Sequence, residues 1–130
     1  MPCYPLTQQI AEKLHAYTRP RSSGESSRVK DFIDILLFAE LGEINSDGLL
    51  KAIQATFQFA NTHLVPTKIP PPPEGWAQVF ARVADEVGLG DVTLNWSFSR
   101  IQQFLDPVLS GTVVGSRWDA ASWSWKLEKN

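Results

Sequence analysis

A single cysteine, Cys3, is all the chain has, so it can form neither an internal disulfide nor a cysteine-rich metal site. That scarcity fits a reducing compartment. No apolar run approaches the roughly 20 residues that a transmembrane helix needs. The start, Met1-Pro2-Cys3-Tyr4-Pro5, has neither the basic nor the apolar region of a secretory signal, so a soluble, cytoplasmic protein is expected. Positive charge is not in excess either. The formal net charge is −2, which offers no global field to nucleic acid or to an anionic membrane. Catalytic signatures are missing as well: there is no Gly-x-Ser-x-Gly elbow, no Walker phosphate loop and no Asp-x-Asp pair. The two histidines, His15 and His63, stand in no pattern that resembles a zinc site, so no metal ligand is assigned, and His15 reads as a surface or packing residue.

Apolar periodicity is what the chain does have. Ile10, Ala11, Leu14 and Tyr17 form a helical stripe over about 8–17, with Thr7 placed to cap it and Arg19-Pro20 to end it. A polar loop with Arg19 and Arg21 follows. Ser27 or Ser26 is placed to cap a second helix reaching Leu41 and stopping at Gly42. Asn45-Ser46-Asp47-Gly48 is turn and cap chemistry ahead of a third helix with Leu49, Leu50, Ile53, Phe57 and Ala60 on one face. Pro70-Pro71-Pro72-Pro73 excludes helix and suits a stiff extended connector. A fourth helix opens near Glu74 with Trp76, Val79, Phe80 and Val83 at helical spacing. Gly88-Leu89-Gly90-Asp91 lacks the third glycine and the lysine of a phosphate loop, so it reads as a stop and turn. Thr93 caps a fifth helix, with Pro107 in its last turn. The tail holds Trp118, Trp123 and Trp125, and the alternation around Ser124 suits a short extended piece laid over the helices. The expectation is a mainly α single domain over residues 1–130, a bundle of about five helices with a short extended, Trp-rich C-terminal tail.

One polar set stands out. Arg28-Val29-Lys30-Asp31-Phe32-Ile33-Asp34-Ile35 places two cations and two carboxylates along one ridge, immediately before the most apolar run of the chain. If the first two helices lie antiparallel, Lys13 can meet this ridge. A lysine among such groups suits phosphate oxygens, and a carboxylate beside it can orient the lysine or accept a proton. The same spacing also suits a plain ion-pair ladder that stabilises a helix hairpin.

Ile10 to Ala16 and Ser27 to Ile35 resemble the AbiEii/AbiGii family of toxins, nucleotidyltransferase-like proteins of type IV toxin–antitoxin and abortive-infection systems. The family's Lys-x-x-Ala matches Lys13 to Ala16. Its Arg-x-Lys-Asp-x-x-Asp-Leu matches Arg28 to Ile35, with Ile35 in place of leucine. Thr62-His63 at a helix end, the Pro-rich link, Trp76 and the Trp118 to Trp125 tail extend the similarity over nearly the whole chain. The resemblance implies Asp31 and Lys13 as catalytic residues, nucleotide contact by Lys13, Arg28 and Lys30, and support from Asp34. For a complete family member it implies Mg²⁺ and a nucleoside triphosphate, with no cofactor for this chain alone.

The chain departs from the family in lacking the upstream half with its Gly-Ser motif and metal-holding Asp-x-Asp. Gly115-Ser116, followed only by Asp119, lies at the wrong end to substitute. The expectation is therefore a truncated toxin: the helical C-terminal half alone, inactive by itself, from a split gene, a shortened frame or a decayed toxin. Its expected partners are an N-terminal nucleotidyltransferase half or an antitoxin, with a homodimer as another way to cover an exposed apolar face. The rival expectation is a non-catalytic helical protein-interaction module.

Overall fold

Helix α2 (Glu25–Leu41) presents a broad apolar face, and the remaining elements are arranged to cover it. Val29, Phe32, Ile33, Ile35, Leu36 and Ala39 are fully buried. Each large side chain among them contributes on the order of 2 kcal/mol by leaving water. The computed structural model describes residues 5–18, 25–41, 43–61, 63–89 and 92–127. In chain order the elements are α1 (Leu6–Thr18), α2, α3 (Ser46–Ala60), a 3₁₀ turn (Glu74–Trp76), α4 (Ala77–Glu86), α5 (Leu94–Ser110) and an antiparallel hairpin of β1 (Ser116–Asp119) and β2 (Ser124–Leu127). α1 packs on α2 and α3, while α2 also meets α4 and α5. The result is the mainly α, five-helix single domain that the periodicity predicts, with no helix long and apolar enough to cross a membrane among the described residues.

Two helix starts differ from the sequence expectation. α1 begins at Leu6, before Thr7, because the Pro5 carbonyl accepts the first helical bond from the Gln9 N–H at 3.0 Å. Leu6 packs against the core, which draws the start upstream. α2 begins at Glu25, so the backbone of Ser26 and Ser27 lies within the helix. Serine in a helix costs only about 0.5 kcal/mol relative to alanine, less than the packing behind it returns. The stops assigned to Arg19-Pro20, Gly42 and Gly90-Asp91, and the loop cations Arg19 and Arg21, lie outside the described residues.

The other caps follow sequence chemistry. The Asn45 side chain accepts from the Gly48 N–H at 2.8 Å, and the Thr93 hydroxyl from the Trp96 N–H at 3.0 Å. Asn61 closes α3 in the left-handed conformation, and Gly88 takes the same sign of φ after α4. The proline segment is a connector stapled at two points. The Ile69 N–H donates to Asp106 at 2.7 Å with Ile69 buried, and the Tyr17 hydroxyl donates to the Pro70 carbonyl at 2.7 Å.

The tryptophan tail turns inward. Trp118 pairs with Trp125 across the hairpin, and Trp123 sits in the turn at φ 53°, so the three rings do not simply alternate. Each indole N–H donates to a helix carbonyl at 2.8 Å: Trp118 to Ala39, Trp123 to Arg100 and Trp125 to Phe104. Ala39 lies in the last turn of α2, where carbonyls have no intrahelical donor, so Trp118 satisfies an otherwise orphaned group. Trp118→Phe should keep most of the ring packing and lose that donor. The expected cost is about 1–3 kcal/mol, read as a lower urea midpoint with an unchanged m-value.

Candidate functional site

α1 buries Ile10, Ala11, Leu14 and Tyr17, which leaves Lys13 on the flank of the stripe facing α2. On α2, Asp31 and Asp34 are i,i+3 neighbours beside buried Ile35. Lys13 against Asp34, and Tyr17 against Phe32 at 5.5 Å between ring centroids, give the order expected of antiparallel neighbours. The Lys13 Nζ lies 3.1 Å from Asp34 Oδ2 and 3.5 Å from Asp31 Oδ1. The second distance is long for a hydrogen bond, so Asp34 is the nearer partner and Asp31 a mainly Coulombic one. Side-chain exposures of 35% for Lys13, 16% for Asp31 and 27% for Asp34 make this a half-buried triad at the rim of the helix pair.

Burial alone would lower the Lys13 pKa. The hydrogen bond and charge of Asp34, followed by the charge and hydrogen bond of Asp31, outweigh it and hold the ammonium above its ordinary value of 10.5. The Lys13 ammonium therefore stays protonated at neutral pH.

The remaining candidates are placed differently. Arg28 is half-buried and acts on Tyr17, whose hydroxyl is pushed well up by burial and only partly pulled back by the Arg28 charge. Lys30 is exposed and makes no ion pair among the described residues, since Asp34 faces Lys13 instead. Gly115-Ser116 is structural. The Gly115 N–H donates to Asp47 at 3.2 Å, the Ser116 N–H to the Ser46 hydroxyl at 3.0 Å, and Asp119 holds the hairpin turn through Ala121 and Ser122.

A histidine pair escaped sequence reasoning. His15 and His63 stack at 4.8 Å between centroids, both against Phe57, and His63 Nε2 meets the Thr18 hydroxyl at 2.7 Å. His15 is buried, as a packing residue would be. Beside the pair is a cavity of about 400 Å³ walled by Phe57, His63, Leu64 and Val65 and rimmed by the amides Gln54, Gln58 and Asn61. The only sequence hint is position: His15 lies near the end of α1 and His63 just past the α3 cap. No group of three or more His, Cys, Asp or Glu among the described residues is placed to hold a metal ion.

Fold and site define a class: a mainly α domain in which a lysine from one helix is held between two aspartates of the next. The family model of the nucleotidyl transferase AbiEii toxin, of Type IV toxin–antitoxin systems, matches residues 1–128, and the chain belongs to that family. Comparison with curated proteins and with solved structures gave no match.

The triad has a testable pH signature. Because the folded-state Lys13 pKa is raised, its stabilisation is fully present below 10.5 and is lost as pH rises through the folded value. Lys13→Met removes the cation and leaves two carboxylates facing each other. Discounted for solvent screening, the cost is about 0.5–1 kcal/mol. The difference in unfolding free energy between wild type and Lys13→Met should be flat between about pH 7 and 9 and shrink above the ordinary lysine value.

Proposed function

We propose that this chain is the helical part of an AbiEii-like nucleotidyltransferase toxin. In this reading Lys13 contacts the nucleotide phosphates, Asp31 is the catalytic carboxylate, Asp34 holds Lys13 in place, and Arg28 and Lys30 add charge at the rim. The observation that carries it is the meeting of the two family motifs in one half-buried cluster, with Lys13 Nζ 3.1 Å from Asp34 and 3.5 Å from Asp31. Asp31 is the least exposed of the three and stands farther from the ammonium than Asp34 does.

The triad does not fit a metal site by itself. It has two carboxylates, both turned toward an ammonium, and a divalent cation would meet that ammonium first. The 130 residues contain no Asp-x-Asp either. We therefore assign the metal-holding groups to an N-terminal half, encoded in frame or as a separate polypeptide, and infer that these residues alone do not transfer nucleotides. The family description names a toxin–antitoxin system; an antitoxin is accordingly the partner we assign to the assembled toxin. Exposed Phe59 and Leu64, with Leu64 lining the cavity near α3, supply apolar surface for an N-terminal half or for a second copy to cover.

A melting experiment tests the nucleotide reading. A mixture of nucleoside triphosphates with Mg²⁺ at millimolar concentration should raise the melting temperature by a few degrees, as expected for about 1 kcal/mol of binding linkage. Lys13→Ala should abolish the shift, whereas Lys51→Ala, on the exposed face of α3, should leave it intact. No shift in the wild type, or an equal shift in Lys13→Ala, would count against the site.

A further inference from the structure

Arg100 on α5 is held between two indoles. Its guanidinium carbon lies 3.9 Å from the Trp123 ring centroid and 4.9 Å from that of Trp96. The Trp123 indole also donates to the Arg100 backbone carbonyl at 2.8 Å, and Trp123 adopts φ 53° to do so from the hairpin turn. A tryptophan in the left-handed region is strained, so the surroundings must over-determine this placement. The guanidinium makes no ion pair or hydrogen bond among the described residues, and its Nε is buried without an acceptor. Few cations in folded proteins are left in this state.

A staple for the hairpin would not need the second ring. Trp123 is nearly buried and also packs on Trp118, so it is anchored without Trp96. Trp96 is 43% exposed, and its ring contact is with Arg100. Neither indole offers the guanidinium an acceptor, so its N–H groups remain as the donor set. That set suits a planar oxyanion taken bidentately. A nucleic acid would bring further phosphates and call for further cations nearby. The exposed residues adjoining Trp96, Arg100 and Trp123 in the chain are Asn95, Ser99 and Ser122, with Gln103 one helical turn on, and none is basic. One fixed cation with an exposed indole on neutral polar ground matches a single carboxylate flanked by apolar groups. Trp and Arg dominate the energetics of protein interfaces for this reason.

We propose that Trp96, Arg100 and Trp123 form a docking point for an acidic residue of a partner protein, with Arg100 pairing its carboxylate and Trp96 covering an adjacent apolar side chain. The site lies on α5 and the hairpin, elements that carry no member of the Lys13 triad, and it does not depend on the nucleotide reading.

The test uses the whole chain and the acetylated, amidated tripeptide Leu-Glu-Leu, followed by NMR at the Arg100 Nε–H and the indole N–H groups. Saturable shifts with a dissociation constant on the order of 1 mM are expected. The Leu-Gln-Leu peptide should bind at least about fivefold more weakly, because the charge assistance is gone. Arg100→Lys keeps the charge but loses the fork and should lose most of the affinity. Trp96→Ala removes an exposed ring, should leave the dispersed indole spectrum of the fold in place, and should weaken binding about threefold. Equal affinity for the two peptides, no saturable shift at concentrations on the order of 10 mM, or Arg100-dependent binding of an oligouridylate tighter than that of Leu-Glu-Leu would each overturn the proposal.

Discussion

The burial of the broad face of α2 formed by Val29, Phe32, Ile33, Ile35, Leu36 and Ala39 is the constraint from which the rest of the structure follows. A helix so apolar cannot lie on a surface, and α1, α4 and α5 each remove part of it from water. Its first turns nevertheless carry Arg28, Lys30, Asp31 and Asp34. Two carboxylates a turn apart at the edge of a core would repel each other and lose hydration. Lys13, arriving from the neighbouring helix at the right height, offsets both effects. The position of the candidate site is thus a consequence of packing: the polar cluster sits where the buried helix first emerges beside its antiparallel neighbour.

The far end of α2 is held by a different device. Ala39 is fully buried, yet its carbonyl lies beyond the reach of helical donors, and the Trp118 indole supplies the missing hydrogen. The hairpin that delivers Trp118 is tied in turn to the turn before α3, where the Trp118 N–H donates to the Ile44 carbonyl at 2.8 Å and the Ser46 hydroxyl to the Val113 carbonyl at 2.6 Å. Phe104 then stacks on Trp125 and meets Trp118 edge-on. The C-terminal aromatics therefore close the core as a β-hairpin whose indoles are each anchored to a helix backbone, and do not form a loose aromatic tail.

What was readable in the sequence is what local chemistry controls. The stripes of Ile10, Leu14 and Tyr17 and of Leu49, Ile53 and Phe57 mark helices, the Asn45 and Thr93 caps work as their side chains predict, and Pro107 falls in the last turn of α5, where it removes one helical hydrogen bond and the helix ends at Ser110. The helix start at Leu6 was not readable, because the packing of Leu6 against the core decided it over the capping preference of Thr7. Nor could spacing on one helix say that Asp34 would take Lys13 over Lys30. Both cations are within reach, and the one from the adjacent helix is partly desolvated, which strengthens the pair. The pairing of His15 with His63, and the turn that aims Trp123 at Arg100, depend on contacts between distant elements that no local pattern encodes.

The two notable cations stand in opposite electrostatic states, and that difference bears on how the surface is used. Lys13 is already neutralised, since the triad around it is net negative; an anion gains nothing there until a carboxylate is drawn away or further positive charge is brought close. Arg100 makes no ion pair among the described residues, and two aromatic rings lie 3.9 and 4.9 Å from its guanidinium carbon. A carboxylate reaching Arg100 needs no prior rearrangement, whereas a phosphate reaching Lys13 does. With a net charge of only −2 spread over the chain, long-range attraction does not favour either site, and the local state of each cation decides. Under the two proposed readings, a carboxylate can pair with Arg100 as it stands, whereas a phosphate at Lys13 would need further positive charge beside the triad.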